Sequence, residues 1–219
     1  MRAACVPYLL GIMSFDTFVA VLVFSIVMGF TPGPNNVMLA SSGATYGIRR
    51  TWPHLMGVAL GFPAMILVIG LGLASILLAS TGLQLGMKIV SSLYLLWLAF
   101  QIARSSSVSG AAASARPLTF LQAAAFQWIN PKAWLIAVGA ISAYTAGVGA
   151  HLYLQVAIIA AMSVAVSFSS SLTWAACGAA IGRWLRSPLA LRLFNVLMAV
   201  LLLASVLPIL GEIWTQLRH

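Results

Sequence analysis

Apolar residues fill this chain in six long runs, separated by short stretches that contain glycine, serine and arginine. Each run reaches the roughly 20 residues that an α-helix needs to cross the hydrocarbon core of a membrane. The runs cover residues 15–46, 53–79, 83–103, 118–143, 151–177 and 189–210. The pattern therefore predicts an all-α integral membrane protein with six transmembrane helices.

Two of the runs, the first and the fourth, contain residues that interrupt a helix. The interruptions are Pro32, Gly33, Pro34, Asn35 and Asn36 in the first run, and Asn130, Pro131 and Lys132 in the fourth. Backbone groups freed by a break find no water in a bilayer, so broken helices persist only inside protein or beside a wet cavity. We therefore expect both helices to be broken and the two breaks to meet near the middle of the membrane.

The two breaks divide the chain into similar halves. Residues 13–103 and 118–212 each hold three runs, and the polar segment 104–117 connects them. An odd number of spans per half gives the halves opposite orientations, which is the condition for an inverted repeat. Residues 1–12 are interpreted as an N-terminal extension and 213–219 as a C-terminal tail. A signal peptide is the alternative for the extension, but no clear cleavage site follows it.

Charge confirms the membrane class and predicts orientation. Charged residues make up 6% of the chain and hydrophobic residues 62%, whereas soluble domains carry roughly 25% charged residues. Seven basic residues fall in or beside the 1–2, 3–4 and 5–6 loops: Arg49, Arg50, Arg104, Arg116, Arg183, Arg186 and Arg192. Only Arg2, Lys88 and Arg218 fall on the other side. Those three loops are therefore expected in the cytoplasm, where basic residues meet lipid headgroups rather than nucleic acid.

The first break offers groups that could hold a substrate. Two prolines remove amide donors, so carbonyls between Ser25 and Phe30 lose their partners and could accept from an amine or a cation. Asn35 and Asn36 add side-chain donors and acceptors. A simple kink, satisfied by neighbouring helices, is an equally good interpretation of these residues alone.

The second break carries a lysine about midway along its span. A charged lysine at that depth needs carbonyls, water or an anionic ligand, and the amides that begin the second half-helix also favour an anion. A substrate carboxylate would suit both. The alternative is that Lys132 extends to the cytoplasmic face or neutralises the end of a half-helix.

Other polar residues in the runs have weaker interpretations. The fifth run holds six hydroxyl residues, which favour close helix packing over a polar path; they are Ser163, Ser167, Ser169, Ser170, Ser171 and Thr173. The pairs Gly57/Gly61 and Gly178/Gly182 are typical of helix packing or dimerisation, so a homodimer stays open. His54 and His151 lie near run ends and are expected at the surface.

Several classes of function lack the residues they need. A metal path needs clusters of His, Asp, Glu or Cys, and Cys5 and Cys177 are far apart in the sequence. An intramembrane enzyme needs paired aspartates, a metal motif or a serine beside a base. We therefore expect no catalytic residues, no metal and no cofactor. Export of another small solute or ion, or a membrane-embedded enzyme, remains the alternative to the function inferred below.

The chain resembles the LysE-type amino-acid exporter family, which includes the lysine and homoserine/threonine exporters. The resemblance covers about residues 13–210. It is carried by Met13 to Phe15, Pro32 to Pro34, Gly43 to Gly47 with Arg49 and Arg50, Gly57 to Gly61, Lys88 to Leu98, and Phe126 to Ala133 (FQWINPKA).

This resemblance implies a six-span permease of the bacterial cytoplasmic membrane that exports amino acids or related metabolites, with protons as the coupling ion. It assigns substrate binding to Pro32, Gly33, Pro34, Asn130, Pro131 and Lys132. Gly61-Phe62-Pro63 departs from the family pattern by placing a bulky ring and a proline where smaller or polar residues are expected. We expect this change to reshape the substrate cavity, and no named substrate is carried over.

Overall fold

A computed structural model describes residues 8–9, 12–73, 80–104, 116–145, 150–185 and 187–218. Within these residues the chain forms eight α-helices: α1 (Phe15–Phe30), α2 (Pro34–Tyr46), α3 (Ile48–Val68), α4 (Thr81–Arg104), α5 (Phe120–Phe126), α6 (Pro131–Tyr144), α7 (Ala150–Trp184) and α8 (Pro188–Leu217). Helix α3 continues as a π-helical turn over Ile69–Leu73. A short antiparallel ribbon, β1 (Tyr8–Leu9) with β2 (Met13–Ser14), precedes α1.

Four of these helices are long and apolar enough to cross a membrane. They lie within Ile48–Gly72, Thr81–Arg104, Ala150–Trp184 and Leu189–Gln216. The bent pair α1 and α2 makes a fifth candidate span. The all-helical membrane class is therefore confirmed. The remaining predicted span, the fourth run (residues 118–143), corresponds to the two shorter helices α5 and α6.

Both predicted breaks are present. Helix α1 ends at Phe30, and α2 begins at Pro34 with Gly33 as its N-cap, with a bend of 51° between the two axes. Helix α5 ends at Phe126, and α6 begins at Pro131 with Asn130 as its N-cap. Proline suits the first position of a helix because the amide it lacks would have no partner there. The same device therefore starts the second half of each broken segment.

Helices α2 and α7 pack closely because small residues line their contact. A methyl group added at Gly178 would strike the backbone of Ala40, and one at Gly182 would strike that of Ala44. Gly57 and Gly61 likewise leave room for the backbone of α5. The packing interpretation of both glycine pairs is confirmed.

The contacts fix the relative directions of the helices. Ile12 lies beside Gln155, Gly29 beside Ser170 and Ala44 beside Gly182, so α1 and α2 together run alongside α7 in the same direction. Gly57 meets Phe120 and Gly61 meets Ala124, so α5 runs parallel to α3. Lys132 meets Thr31, and the rings of Tyr144 and Phe24 lie 5.7 Å apart, so α6 runs antiparallel to α1.

The start of α4 lies beside the end of α8. Lys88 Nζ and Glu212 Oε2 form an ion pair at 3.0 Å, and Gln216 donates to the Thr81 carbonyl. Glu212 and Asp16 are both exposed, as expected for acidic residues at the ends of spans.

Several element ends differ from the sequence prediction. Helix α7 extends seven residues past the predicted end of its run, to Trp184, and α8 continues from the predicted 210 to Leu217. These extensions include Arg183 and Trp184 in α7 and Glu212 and Trp214 in α8. Charged residues and tryptophan are common where a membrane helix leaves the apolar region. Residues 74–79 of the second run, 105–115 of the connector, and 1–7 and 10–11 of the N-terminal extension lie outside the described residues.

Candidate functional site

The two helix breaks lie against each other. Asn35 and Gln127 exchange hydrogen bonds, with Asn35 Nδ2 to Gln127 Oε1 at 2.8 Å and Gln127 Nε2 to Asn35 Oδ1 at 3.2 Å. Lys132 Nζ donates to the Thr31 carbonyl at 2.6 Å and to the Pro32 carbonyl at 3.3 Å. Residues about 100 positions apart in the chain thus complete one structure, and the expected meeting of the breaks is confirmed.

Side chains satisfy the carbonyls freed at the first break. Asn36 Nδ2 donates to the Gly29 carbonyl at 2.8 Å and to the Thr31 carbonyl at 2.9 Å. Ser170 of α7 donates to the same Gly29 carbonyl at 2.7 Å. The Thr31 carbonyl therefore accepts from both Asn36 and Lys132. Neighbouring helices satisfy these carbonyls, as the kink interpretation expects, and the substrate-binding role of the break stays a prediction.

The second break is organised by Asn130. Its side-chain oxygen accepts from the Lys132 backbone amide at 3.1 Å, which caps the first turn of α6. Asn130 is 2% exposed and Gln127 is fully buried. Trp134 Nε1 donates to the Trp128 carbonyl at 2.8 Å, so the residues of the turn before the cap also have partners.

Gly33 leaves room for the Lys132 side chain to reach the Thr31 and Pro32 carbonyls. Its backbone is extended, with φ −174° and ψ 178°, so any residue could adopt it. A methyl group at this position would instead stand 2.6 Å from Lys132 Cδ and 3.0 Å from Nζ. The glycine is needed for space, and its hydrogen faces the lysine side chain.

A cavity opens between the breaks and α7. Its volume is about 60 Å³. Its polar wall consists of Ser25, Asn35, Asn36, Asn130, Lys132, Ser163, Ser167, Ser170 and Ser171. Among the described residues that line it, Lys132 is the one charged group.

The predicted site residues take two different places. Gly33, Asn35, Asn36, Asn130 and Lys132 line the cavity.

The three prolines act on the backbone instead. Pro34 and Pro131 begin α2 and α6, and the Pro32 carbonyl accepts from Lys132.

Two features of the site differ from the sequence interpretation or were missed by it. Four of the six hydroxyl residues of α7 line the cavity, which favours the polar path over packing alone. Gln127 was not singled out, although its place within FQWINPKA was a signal. Phe62 lines the cavity, so the departure at this position lies at the site, and its effect on the shape of the cavity stays a prediction.

The expectation that His54 lies at the surface is wrong. His54 is 2% exposed on α3, because Arg49 and Arg50 already belong to this helix and the histidine lies in its second turn. His151, in contrast, is exposed at the start of α7.

The described residues contain no group of three or more His, Cys, Asp or Glu side chains that could hold a metal ion. The groups that converge on the cavity are instead one ammonium, three asparagine carboxamides, serine hydroxyls and main-chain carbonyls. These groups bind by hydrogen bonding and charge, and they suit a ligand that carries both a positive and a negative group.

Membrane-length apolar helices, two interrupted helices that meet, and a polar cavity beside them define a membrane transporter. The sequence comparison gives the family. Residues 26–207 match the LysE type translocator family, and the chain belongs to that family. It is therefore an inner-membrane transporter and not an enzyme.

Curated relatives carry a common name. A cysteine/O-acetylserine efflux protein of Klebsiella pneumoniae is 28% identical over 159 residues, which cover 73% of this chain and 80% of that protein. The proteins of the same name from Escherichia coli O139:H28 and Escherichia coli strain K12 are each 28% identical, over 82% of this chain and 90% of their own lengths.

No solved structure matches the chain.

Proposed function

We propose that this protein exports small neutral amino acids from the cytoplasm by proton antiport. The observation that carries the proposal is the contact of Lys132 Nζ with the Thr31 and Pro32 carbonyls inside a polar cavity. This places an anion-binding group and cation-binding groups side by side. The two charged ends of a free amino acid have the same arrangement.

The lysine and the carbonyls satisfy each other when no substrate is bound. An arriving amino acid brings its own ammonium, which can replace Lys132 Nζ at the Thr31 and Pro32 carbonyls. The released lysine is then free to pair with the substrate carboxylate, aided by the amides at the start of α6. Recognition on this scheme is an exchange of partners, so no buried charge is left alone at any stage.

The cavity wall favours a neutral side chain. Its remaining polar groups are serine hydroxyls and asparagine side chains, and the only acidic residues of the chain, Asp16 and Glu212, are exposed at helix ends. A lysine or arginine substrate would bring a second positive charge beside Lys132 with no carboxylate to balance it. The small space and the Phe62 ring further favour a short side chain.

The relatives support the same substrate class. Their names assign them cysteine and O-acetylserine efflux, and both compounds are small, neutral amino acids with a polar side chain. At 28% identity we extend the class to this chain, and not the particular compounds.

The proposed architecture is six crossings in two inverted repeats. Three observations support it: α6 runs antiparallel to α1, the segments α1–α2 and α5–α6 are each broken at a proline-led half-helix, and the two breaks are in contact. On this proposal α5 and α6 together form the fourth crossing, and the cavity lies near the membrane midplane.

Transport in everted membrane vesicles tests the function. Labelled cysteine, O-acetylserine, serine and lysine are offered to vesicles with an acidic lumen, in which export appears as uptake. We expect protein-dependent uptake of at least one of the neutral compounds, weak uptake of lysine, and loss of uptake when the pH gradient is collapsed. Failure across a full amino-acid panel would overturn the proposal in favour of another solute or ion.

A further inference from the structure

We propose that His54 is the group that carries the coupled proton. This inference rests on the proposed export by proton antiport and adds the residue that makes the coupling. Neither the helix breaks nor the substrate contacts described above involve this histidine, so it is a second functional position, on a different helix.

His54 lies directly next to the cavity wall. Val58 and Phe62 of α3 line the cavity, and His54 precedes Val58 by one helical turn on the same face of the helix. The distance along the axis between the two residues is thus about 6 Å. Arg49 and Arg50 lie about one turn from His54 on its other side, towards the start of α3. The histidine therefore lies between the cavity and the arginine-bearing end of α3.

The side chain is buried without a hydrogen-bond partner. It is 2% exposed, and within the described part of the chain neither Nδ1 nor Nε2 finds a donor or acceptor. An imidazole buried in this way is costly, and polar groups without partners are rare enough in folded proteins to require an explanation. Leucine or methionine would fill the same volume without that cost. A group that must take up and release a proton explains the histidine.

Few other ionisable groups compete for this role. Helices α2, α5, α6 and α7 pack against α3 and contain no Asp or Glu. Lys132 faces the same cavity as Val58. The remaining titratable groups on these helices lie at helix ends or on exposed surface: Tyr46, Tyr144, His151, Tyr153, Cys177 and Arg183.

The position also explains how proton and substrate exclude each other. When the cavity is open to the outside, a proton that enters it adds to an imidazole nitrogen and makes His54 cationic. The imidazolium repels the substrate ammonium and Lys132, which are both positive, and so favours release of the amino acid. After the empty carrier turns inward, the proton leaves towards the arginine end of α3 and the neutral site can bind again.

Transport in proteoliposomes tests the assignment through two readouts on one variant. His54→Gln keeps a polar side chain of similar length that does not titrate. We expect it to lose accumulation driven by a pH gradient by about tenfold or more, yet to exchange internal for external substrate at close to the wild-type rate. His151→Gln, the same change at an exposed position of α7, should retain both activities.

The outcomes separate this inference from the proposed function. Gradient-driven accumulation by His54→Gln at the wild-type level would overturn the role of His54 and leave export intact. If the wild-type protein exchanges amino acids but its transport does not respond to the pH gradient, both proton antiport and the role of His54 as the proton-carrying residue are overturned. A wild-type protein that moves no amino acid would overturn the proposed function itself.

A second measurement covers the case in which His54→Gln does not fold. In a His151→Gln/His219→Gln protein, His54 is the one histidine left, and diethylpyrocarbonate can acylate it only when the reagent reaches the neutral ring. We expect slow modification at rest and faster modification during turnover, with loss of gradient-driven transport. Modification at the same slow rate during turnover would show that transport does not open a path to the ring, and would overturn the role given to His54.

Discussion

At the scale of single residues, the site depends on how one lysine is accommodated. Lys132 has no acidic partner in the cavity, and two main-chain carbonyls take that place. Carbonyl dipoles hold an ammonium less strongly than a carboxylate would, so a substrate can compete for them. The weak partner is what makes the lysine available for binding.

Lys132→Met is expected to lower apparent substrate affinity about ten- to a hundredfold, which corresponds to roughly 1.5–3 kcal/mol for a lost charge-assisted contact. Methionine keeps the length and removes the charge. Lys132→Arg should restore part of the affinity because it keeps a cation, although its donor geometry differs. The concentration dependence of vesicle uptake, at matched protein abundance, measures both.

Lys88→Met is the control for these variants, since Lys88 pairs with Glu212 away from the cavity and should leave affinity unchanged. Normal affinity in Lys132→Met would reduce Lys132 to a structural residue. An arginine variant that binds but does not transport would instead assign a share of the proton transfer to Lys132.

Gly33→Ala is expected to reduce affinity about tenfold, or ~1.4 kcal/mol. The added methyl group stands 2.6 Å from Lys132 Cδ and displaces the lysine from the Thr31 and Pro32 carbonyls. Gly139→Ala on α6 is the matched control, because its nearest neighbour, Phe24 Cζ, is 3.8 Å away and no clash arises. Equal affinities in the two variants would contradict the role given to Gly33.

At the scale of helices, close packing holds the cavity wall in place. Helix α7 supplies four cavity serines, and its position is set by the contacts of Gly178 and Gly182 with α2. Helix association in a membrane relies on such close approach, since burial from water adds little there. The glycines thus act on the site from a distance, through the helix that carries the serines.

Gly178→Ala is expected to destabilise the purified protein by about 1–3 kcal/mol, the usual range for overpacking. Its methyl group would strike the Ala40 backbone, which cannot rotate away. Gly86→Ala on α4 has open space around the added carbon and should be neutral or stabilising by up to ~1 kcal/mol. Thermal unfolding in detergent compares the two, and similar shifts would show that the α2–α7 contact is not tight.

The sequence predicted the helix breaks because their residues conflict with their surroundings. Proline, asparagine and lysine inside apolar runs can be recognised without any knowledge of the fold. The partners could not be recognised in the same way: the Asn35–Gln127 pair and the Lys132–Thr31 contact join distant parts of the chain. The burial of His54 was missed for a related reason. Hydropathy places the start of the second run at residue 53, but the helix begins one turn earlier, at Ile48, and includes Arg49 and Arg50.

At the scale of the whole molecule, the basic residues gather at one end. The contact of Ala44 with Gly182 brings Arg49, Arg50 and Arg183 together. The antiparallel α4 and α8 place Arg104 and Arg192 near each other, opposite the Lys88–Glu212 pair. The charge asymmetry predicted along the sequence is therefore also an asymmetry in space.

Cysteines placed at residues 49 and 183 should react with a membrane-impermeant thiol reagent only from the cytoplasmic side, and a cysteine at residue 218 only from outside. The reason is the preference of basic loops for the cytoplasm. The test uses intact cells and everted vesicles in a cysteine-free background that lacks Cys5 and Cys177. Labelling of residue 183 in intact cells would reject the orientation.

The contact between Lys132 and the first helix break also orders events during synthesis. A lysine at the centre of a membrane helix opposes insertion by about 2.5–3.5 kcal/mol, and α5 and α6 are short. The ribosome releases Thr31 and Pro32 about 100 residues before Lys132, so their carbonyls are already in the bilayer when the lysine arrives. On the proposed six-span architecture, we therefore expect the amino-terminal half to provide the binding place for Lys132 when the fourth segment enters the membrane.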